Sequence, residues 1–132
     1  MNISENISKH FTRKELQCQH CGELRINQAF LQKLELLRSA INKPMIITSG
    51  YRCGEHNADV STASVGPHTM GCAVDVAISG EDVPKLIDLA LGLGFTGFGL
   101  KQHGPIAGRY VHLDAMPAGD NNIPRPRFWT YP

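Results

Sequence analysis

The sequence predicts an α+β domain: an antiparallel sheet with helices packed on one side. Three observations point there. Residues 27–42 and 82–91 carry apolar side chains at helical spacing. Residues 45–48, 72–78, 95–100 and 110–116 are short apolar or alternating runs bounded by turn residues, as strands are. The 132 residues have 42% hydrophobic and 19% charged content, the composition of one ordinary globular domain rather than of a disordered chain.

The first 25 residues read as an N-terminal arm. Asn27 is placed to cap the first helix, with Ile26 and Leu31 positioned as a hydrophobic staple. Phe30, Leu34, Leu37 and Ile41 then line one face, and Pro44 ends the run. The strand at 45–48 leads into the turn Ser49-Gly50-Tyr51-Arg52. Residues 54–70 are rich in Gly, Ser, Thr and Pro and read as a long loop with a helical turn near 55–60; loops of that length in a compact domain usually serve function. In 72–78 (CAVDVAI), Val74, Val76 and Ile78 share one face while Ala73, Asp75 and Ala77 share the other. Val83, Leu86, Ile87, Ala90 and Leu91 line the second helix, which Gly92 and Gly94 stop. Two strands follow, and 117–132 reads as a Pro-rich, irregular tail. The whole chain, 1–132, is expected to be one domain and a monomer.

Thirteen basic against twelve acidic residues leave a net charge of +1, so electrostatic capture by nucleic acid or an anionic membrane is not expected. No apolar run approaches the roughly 18 residues of a membrane span. The N-terminal MNISENISKHFTRKEL lacks an apolar core followed by a small-residue cleavage site, so no secretory signal is expected. Of the four cysteines, Cys72 reads as a small core residue. Cys18 and Cys21 form a CxxC, and with Cys53 and His20 they leave three uses open: a bridge, a structural metal, or thiols. A structural or redox protein built on Cys18 and Cys21 is therefore one rival reading.

Asp75 interrupts an otherwise apolar strand. A buried carboxylate must be paired, protonated or bound to a cation. His68 stands seven residues earlier at the end of the loop, and Tyr110, His112 and Asp114 share one face of the last strand. Two imidazoles and a carboxylate are the ligand set of a catalytic zinc, which leaves a fourth position open. The same three residues also admit an unrelated reading: a loop His, an Asp paired to Arg, and a core His. Spacing alone does not separate the two.

The motifs Ser49-Gly50-Tyr51-Arg52, Glu55-His56-Asn57, His68-x-x-Gly71-x-Ala73-x-Asp75 and Val111-His112-Leu113-Asp114, taken together, resemble the zinc D-Ala-D-Ala carboxypeptidase / L-alanyl-D-glutamate endopeptidase family, of the hedgehog/DD-peptidase fold. The opening HFTRKELQC, the stretch LLRSAINKPMIITSGYR and the closing RPRFWTY resemble its short, phage-lysin-like branch. The resemblance implies one catalytic Zn2+ held by His68, Asp75 and His112. It implies that Arg52 holds a substrate carbonyl or carboxylate, a task its planar fork of donors suits. Two positions depart from the family pattern. Gly66 replaces a usual serine two residues before the first His. Arg109 stands where many members carry an acidic general base three residues before the last His. Asp114 is then the expected base, with orientation of an imidazole as its alternative role. His103 is an outside candidate, and Tyr110 either lines the cleft or packs. His56 and Asn57 are expected to fix the loop carrying Arg52, and Phe128 and Trp129 to anchor the tail.

The function so implied is hydrolysis of a D-amino-acid-containing bond in peptidoglycan stem peptides, by D,D-carboxypeptidase or endopeptidase action. Made in the cytoplasm without a visible signal, such a protein is expected to reach the cell wall by phage delivery or release. The alternative is a non-catalytic, zinc-containing wall-binding or phage structural module of the same fold.

Overall fold

The computed structural model describes residues 5–55, 66–116 and 124–132. In chain order the elements are α1 (Arg13–Leu16), α2 (Gln28–Ile41), β1 (Ile46–Ser49), β2 (Ala73–Ala77), α3 (Asp82–Gly92), β3 (Gly97–Lys101), a 3-10 turn (Ile106–Gly108), β4 (Tyr110–Asp114) and β5 (Arg127–Thr130). The strands form one sheet in the order β1-β2-β4-β3-β5. The first four pair antiparallel, as expected, and β5 joins β3 in parallel. The sheet is therefore mixed rather than purely antiparallel, within the expected α+β class.

α2 starts where Asn27 accepts a hydrogen bond from the Phe30 N–H at 2.9 Å. It ends on Asn42, whose φ of 53° is left-handed, a conformation Asn tolerates better than most residues. Phe30, Leu31, Leu34 and Leu37 bury its inner face. α3 buries Val83, Leu86 and Ala90, and Pro84 falls in its first turn, where its missing N–H costs nothing. Both helices pack against Val74, Val76, Phe98, Val111 and Leu113, which all point to the same side of the sheet. Period-2 alternation consigns Ala73, Asp75, Ala77, His112 and Asp114 to the opposite side, away from the helices.

The arm is more ordered than its irregular appearance suggests. Thr12 and Glu15 make a reciprocal capping box that starts α1, and the T-x-x-E signature is legible in the sequence. Glu35 of α2 accepts from the His10 main chain at 2.9 Å and from Ser8 at 3.0 Å, and meets the His10 ring at 2.6 Å. The tail also departs from expectation. Residues 127–130 are a strand, not irregular chain. Pro124 and Pro126 precede it instead of interrupting it, and an edge position tolerates prolines nearby. Phe128 stacks on Phe98 with ring centres 4.6 Å apart, so it does anchor the tail.

Gly54 and Glu55 begin a helical turn, while His56, Asn57 and the rest of that expected turn lie outside the described residues. No helix among the described residues is long and apolar enough to cross a membrane.

Candidate metal centre

One row across the sheet carries the centre: Ser49, Asp75, His112, Gly99 and Trp129 are successive cross-strand partners on β1, β2, β4, β3 and β5. A bulge between Ile47 and Ser49 shifts the register of β1 and brings Ser49 opposite Asp75. Small residues make room on this face. A Cβ on Gly97 would collide with the Asp114 carboxylate. One on Gly99 would lie 2.5 Å from the Trp129 indole nitrogen.

His68 comes in from the loop. The turn that carries it closes through Met70 N–H to Gly66 O (3.1 Å) and Cys72 N–H to Pro67 O (3.0 Å). Gly66, where the family's usual serine is absent, instead donates its N–H to Thr69 Oγ at 2.8 Å. Gly71 has φ 69° and abuts the chain just before α2, where a Cβ would strike the main chain of 25–27. The His68 ring sets its Nδ1 2.7 Å from the Gly50 carbonyl, which can only accept. That fixes the proton on Nδ1 and leaves the Nε2 lone pair facing the sheet.

His112 is fixed the opposite way. Its Nε2 lies 2.7 Å from Asp114 Oδ2, to which it donates, so its Nδ1 carries the lone pair. Asp75 completes the set. Its Oδ1 is 3.2 Å from His112 Nδ1 and 3.4 Å from His68 Nε2, and the two ring nitrogens are 3.2 Å apart. All three residues are buried. A tetrahedral ion with bonds of about 2.0–2.1 Å sets neighbouring ligand atoms about 3.3–3.4 Å apart. Three lone pairs converging at this spacing repel one another unless a cation or a shared proton sits between them. The donor set therefore fits zinc in chemistry and in size.

The surrounding charges explain the protonation of each group. Burial would raise the Asp75 carboxyl, but where a shared proton rather than a cation sits between them, pairing with the His112 and His68 rings holds it well below the usual carboxylate range. Arg52 adds to this: its Nη2 donates to Asp75 Oδ2 at 3.1 Å and its Nε to Ser49 Oγ at 3.1 Å. Arg52 thus sits at the centre's edge, paired with a strand carboxylate rather than a loop one. Burial pushes the His68 ring down. Burial also opposes charge on His112, yet the Asp114 and Asp75 carboxylates prevail and raise it.

Asp114 faces the Nε2 side of His112 rather than the Nδ1 side that meets Asp75. It is fully buried, and it lies behind His112 on the side of the ring turned from the lone pair. Arg125 grips both its oxygens, Nε to Oδ1 at 2.8 Å and Nη2 to Oδ2 at 2.6 Å. Although burial pushes the carboxyl up, His112 and Arg125 bring it down to about 2. With both oxygens engaged in this way, the carboxylate is placed to orient the His112 ring, the alternative role expected of it. Arg109 bends away and donates its Nε to Gly104 O at 3.0 Å. His103 is exposed, its Nε2 3.0 Å from a Pro132 oxygen, and among the described residues no hydrogen bond ties it to the centre.

An aromatic wall borders the site, and the sequence reading missed most of it. Trp129 lies 5.1 Å from the His112 ring, centre to centre, and Tyr110 lies 5.4 Å from Tyr131. Burial, then the Asp75 charge, raises the Tyr110 hydroxyl, and burial pushes Tyr131 up to about 12. Both stay protonated at neutral pH. Arg125, Trp129 and Tyr131 come from the tail; the aromatic and β-branched run FWTY was the signal available for the strand there.

Comparison with known proteins agrees with this geometry. Neither the curated proteins nor the solved structures searched gave a match. The family model described as Peptidase M15 matches residues 9–114, from the arm to the end of β4. That span covers every residue of the centre except those of the tail. The chain belongs to the Peptidase M15 family and is a zinc metallopeptidase.

Proposed function

We propose that the chain hydrolyses a bond next to a D-amino acid in the stem peptides of bacterial peptidoglycan. One observation carries the reading: His68 Nε2, Asp75 Oδ1 and His112 Nδ1 converge beside the Arg52 guanidinium. A zinc ion held by those three atoms supplies Lewis acidity toward a carbonyl and makes water a stronger acid. The protein's own groups do the rest. Asp114, clamped by Arg125, fixes the His112 tautomer and so keeps Nδ1 as a donor atom. Gly50 O does the same for His68.

Arg52 keeps a permanent positive charge at the edge of the site. There it binds a stem-peptide carboxylate or the oxygen on which charge develops during attack. Tyr110 and Tyr131, kept neutral, line the wall as hydrogen-bond donors. The net charge of +1 supports a small peptide ligand rather than nucleic acid or a lipid surface. We place the protein's action at the cell wall, as a monomer, in a phage-type lytic setting. The support for that setting is the likeness of its opening and closing motifs to the short lysin branch.

Digestion of purified peptidoglycan, followed by mass spectrometry of the muropeptides, tests this. New termini at L-Ala–D-Glu, at a cross-link, or loss of a terminal D-Ala identify the bond, and His112→Ala abolishes the product. Binding to the wall with no new terminus would contradict hydrolysis and favour the non-catalytic module.

A further inference from the structure

A second set of metal-ligating side chains meets where the peptidase chemistry has no use for it. Cys18 and Cys21 flank a tight turn. The Cys18 N–H donates to Glu23 O at 2.7 Å and the Gly22 N–H to Cys18 O at 2.8 Å. Gly22 has φ 76°, a left-handed conformation that lets the chain reverse straight after Cys21. Cys53 arrives from the loop after β1. That loop is tied to the arm by the Tyr51 N–H, which donates to Leu16 O at 2.8 Å. The approach is close enough that a Cβ on Gly50 would lie 2.7 Å from Leu16 O.

The three sulfur atoms lie within 4.8 Å of one another. The Cys53 main-chain N–H donates to Cys18 Sγ at 3.4 Å, a contact that favours the thiolate. His20 stands at the edge of the cluster with Nδ1 3.6 Å from Cys53 Sγ.

Three converging thiols are one too many for a disulfide, which would join two and strand the third. A disulfide also needs sulfurs about 2.05 Å apart. A tetrahedral zinc ion with Zn–S bonds of about 2.3 Å sets sulfurs about 3.8 Å apart, and a sulfur and an imidazole nitrogen about 3.6 Å apart. The three sulfurs are unbridged and within 4.8 Å of one another, which leaves room for the second arrangement. We propose that Cys18, Cys21 and Cys53 bind a structural zinc ion as thiolates, with His20 turning in as the fourth ligand. Binding releases the three thiol protons to solvent, and no electron is transferred.

The ion would clip the arm to the loop of the first site. Cys53 directly follows Arg52, so the clip holds the main chain from which Arg52 reaches Asp75. It closes the chain between residues 18 and 53, a stretch that contains all of α2.

Metal analysis of protein purified with zinc and a thiol reductant tests the site. Two zinc ions per chain are expected in the native protein and one in Cys21→Ser, an exposed position that tolerates the change. His68→Ala should also hold one, so failure of either site is told apart from failure of the other. Cobalt substitution of the native protein gives a readout that needs no variant to fold. A sulfur-to-cobalt charge-transfer band in the near ultraviolet is expected, and it should vanish in Cys21→Ser. A native protein with no such band, or with zinc unchanged by Cys21→Ser, would overturn the site. So would an intact mass showing two of these cysteines oxidised to a disulfide after preparation under reductant.

Discussion

His112 receives opposite demands on its two nitrogens. Asp114 accepts a hydrogen bond from the Nε2–H, and Nδ1 is left to face Asp75 and His68. Asp114→Asn keeps the shape but removes the charge that fixes this tautomer. Zinc affinity should fall about 10–100-fold, the usual cost of losing such an outer partner; a competing chelator measures it, and an unchanged affinity would return Asp114 to the open question of the base. Arg125→Ala leaves that carboxylate buried without its cation and should cost about 3–5 kcal/mol of folding stability, read from urea unfolding.

The ring pKa directions also predict how pH acts on the metal. Zinc needs both rings unprotonated. His112 is raised, so protons compete with zinc from above the ordinary imidazole value downwards. His68 is lowered, so its competition begins only in more acidic solution. Affinity should therefore weaken about tenfold per pH unit below the His112 value, and faster once His68 joins. Chelator titrations across that window check the slope, and a flat profile would contradict the assigned nitrogens.

At the scale of the element, the site depends on how little β3 carries. Gly97 and Gly99 leave space that Asp114 and Trp129 fill from neighbouring strands. Gly97→Ala puts a methyl group into the Asp114 carboxylate. It should lose zinc and activity together while the helical circular dichroism stays, since α2 and α3 pack on the other face. The sheet also explains what could and could not be read in advance. Alternation set Asp75 apart from Val74 and Val76 in CAVDVAI and put His112 and Asp114 together in YVHLD, because a half-buried strand writes its period into the sequence. It could not say that β2 and β4 are neighbours with Asp75 opposite His112, since pairing between residues so far apart leaves no local trace. Nor could it assign Asp114 its role, because the deciding partner, Arg125, sits in a tail whose prolines disguise a strand. α1 was legible in T-x-x-E, but four residues are too few to show a helical period.

For the whole molecule, one sheet divides two tasks. Its helix side, joined by Phe11 and Leu16 of the arm, supplies the core, and its other side supplies the chemistry, completed by the tail. The buried carboxylates make this arrangement sensitive to acid. Asp114 is held at about 2, below its ordinary value near 4, so its contribution is present above that ordinary value and is lost as pH falls toward 2. The loss is worth about 2 kcal/mol, and acid unfolding of Asp114→Asn should lack that component. Zinc acts on the same balance from outside. An ion at a thousandfold excess over its dissociation constant adds about 4 kcal/mol, so chelation should lower Tm by about 10 °C or more. A scan with and without chelator measures it.

The central claim is that a single cation joins His68 Nε2, His112 Nδ1 and Asp75 Oδ1. Anomalous diffraction at the zinc absorption edge, from crystals of the zinc-loaded protein, tests it most directly. The account predicts a peak about 2.0–2.2 Å from each of the three atoms. A zinc-loaded crystal with no peak there, or with Asp75 turned away from both rings, would contradict it.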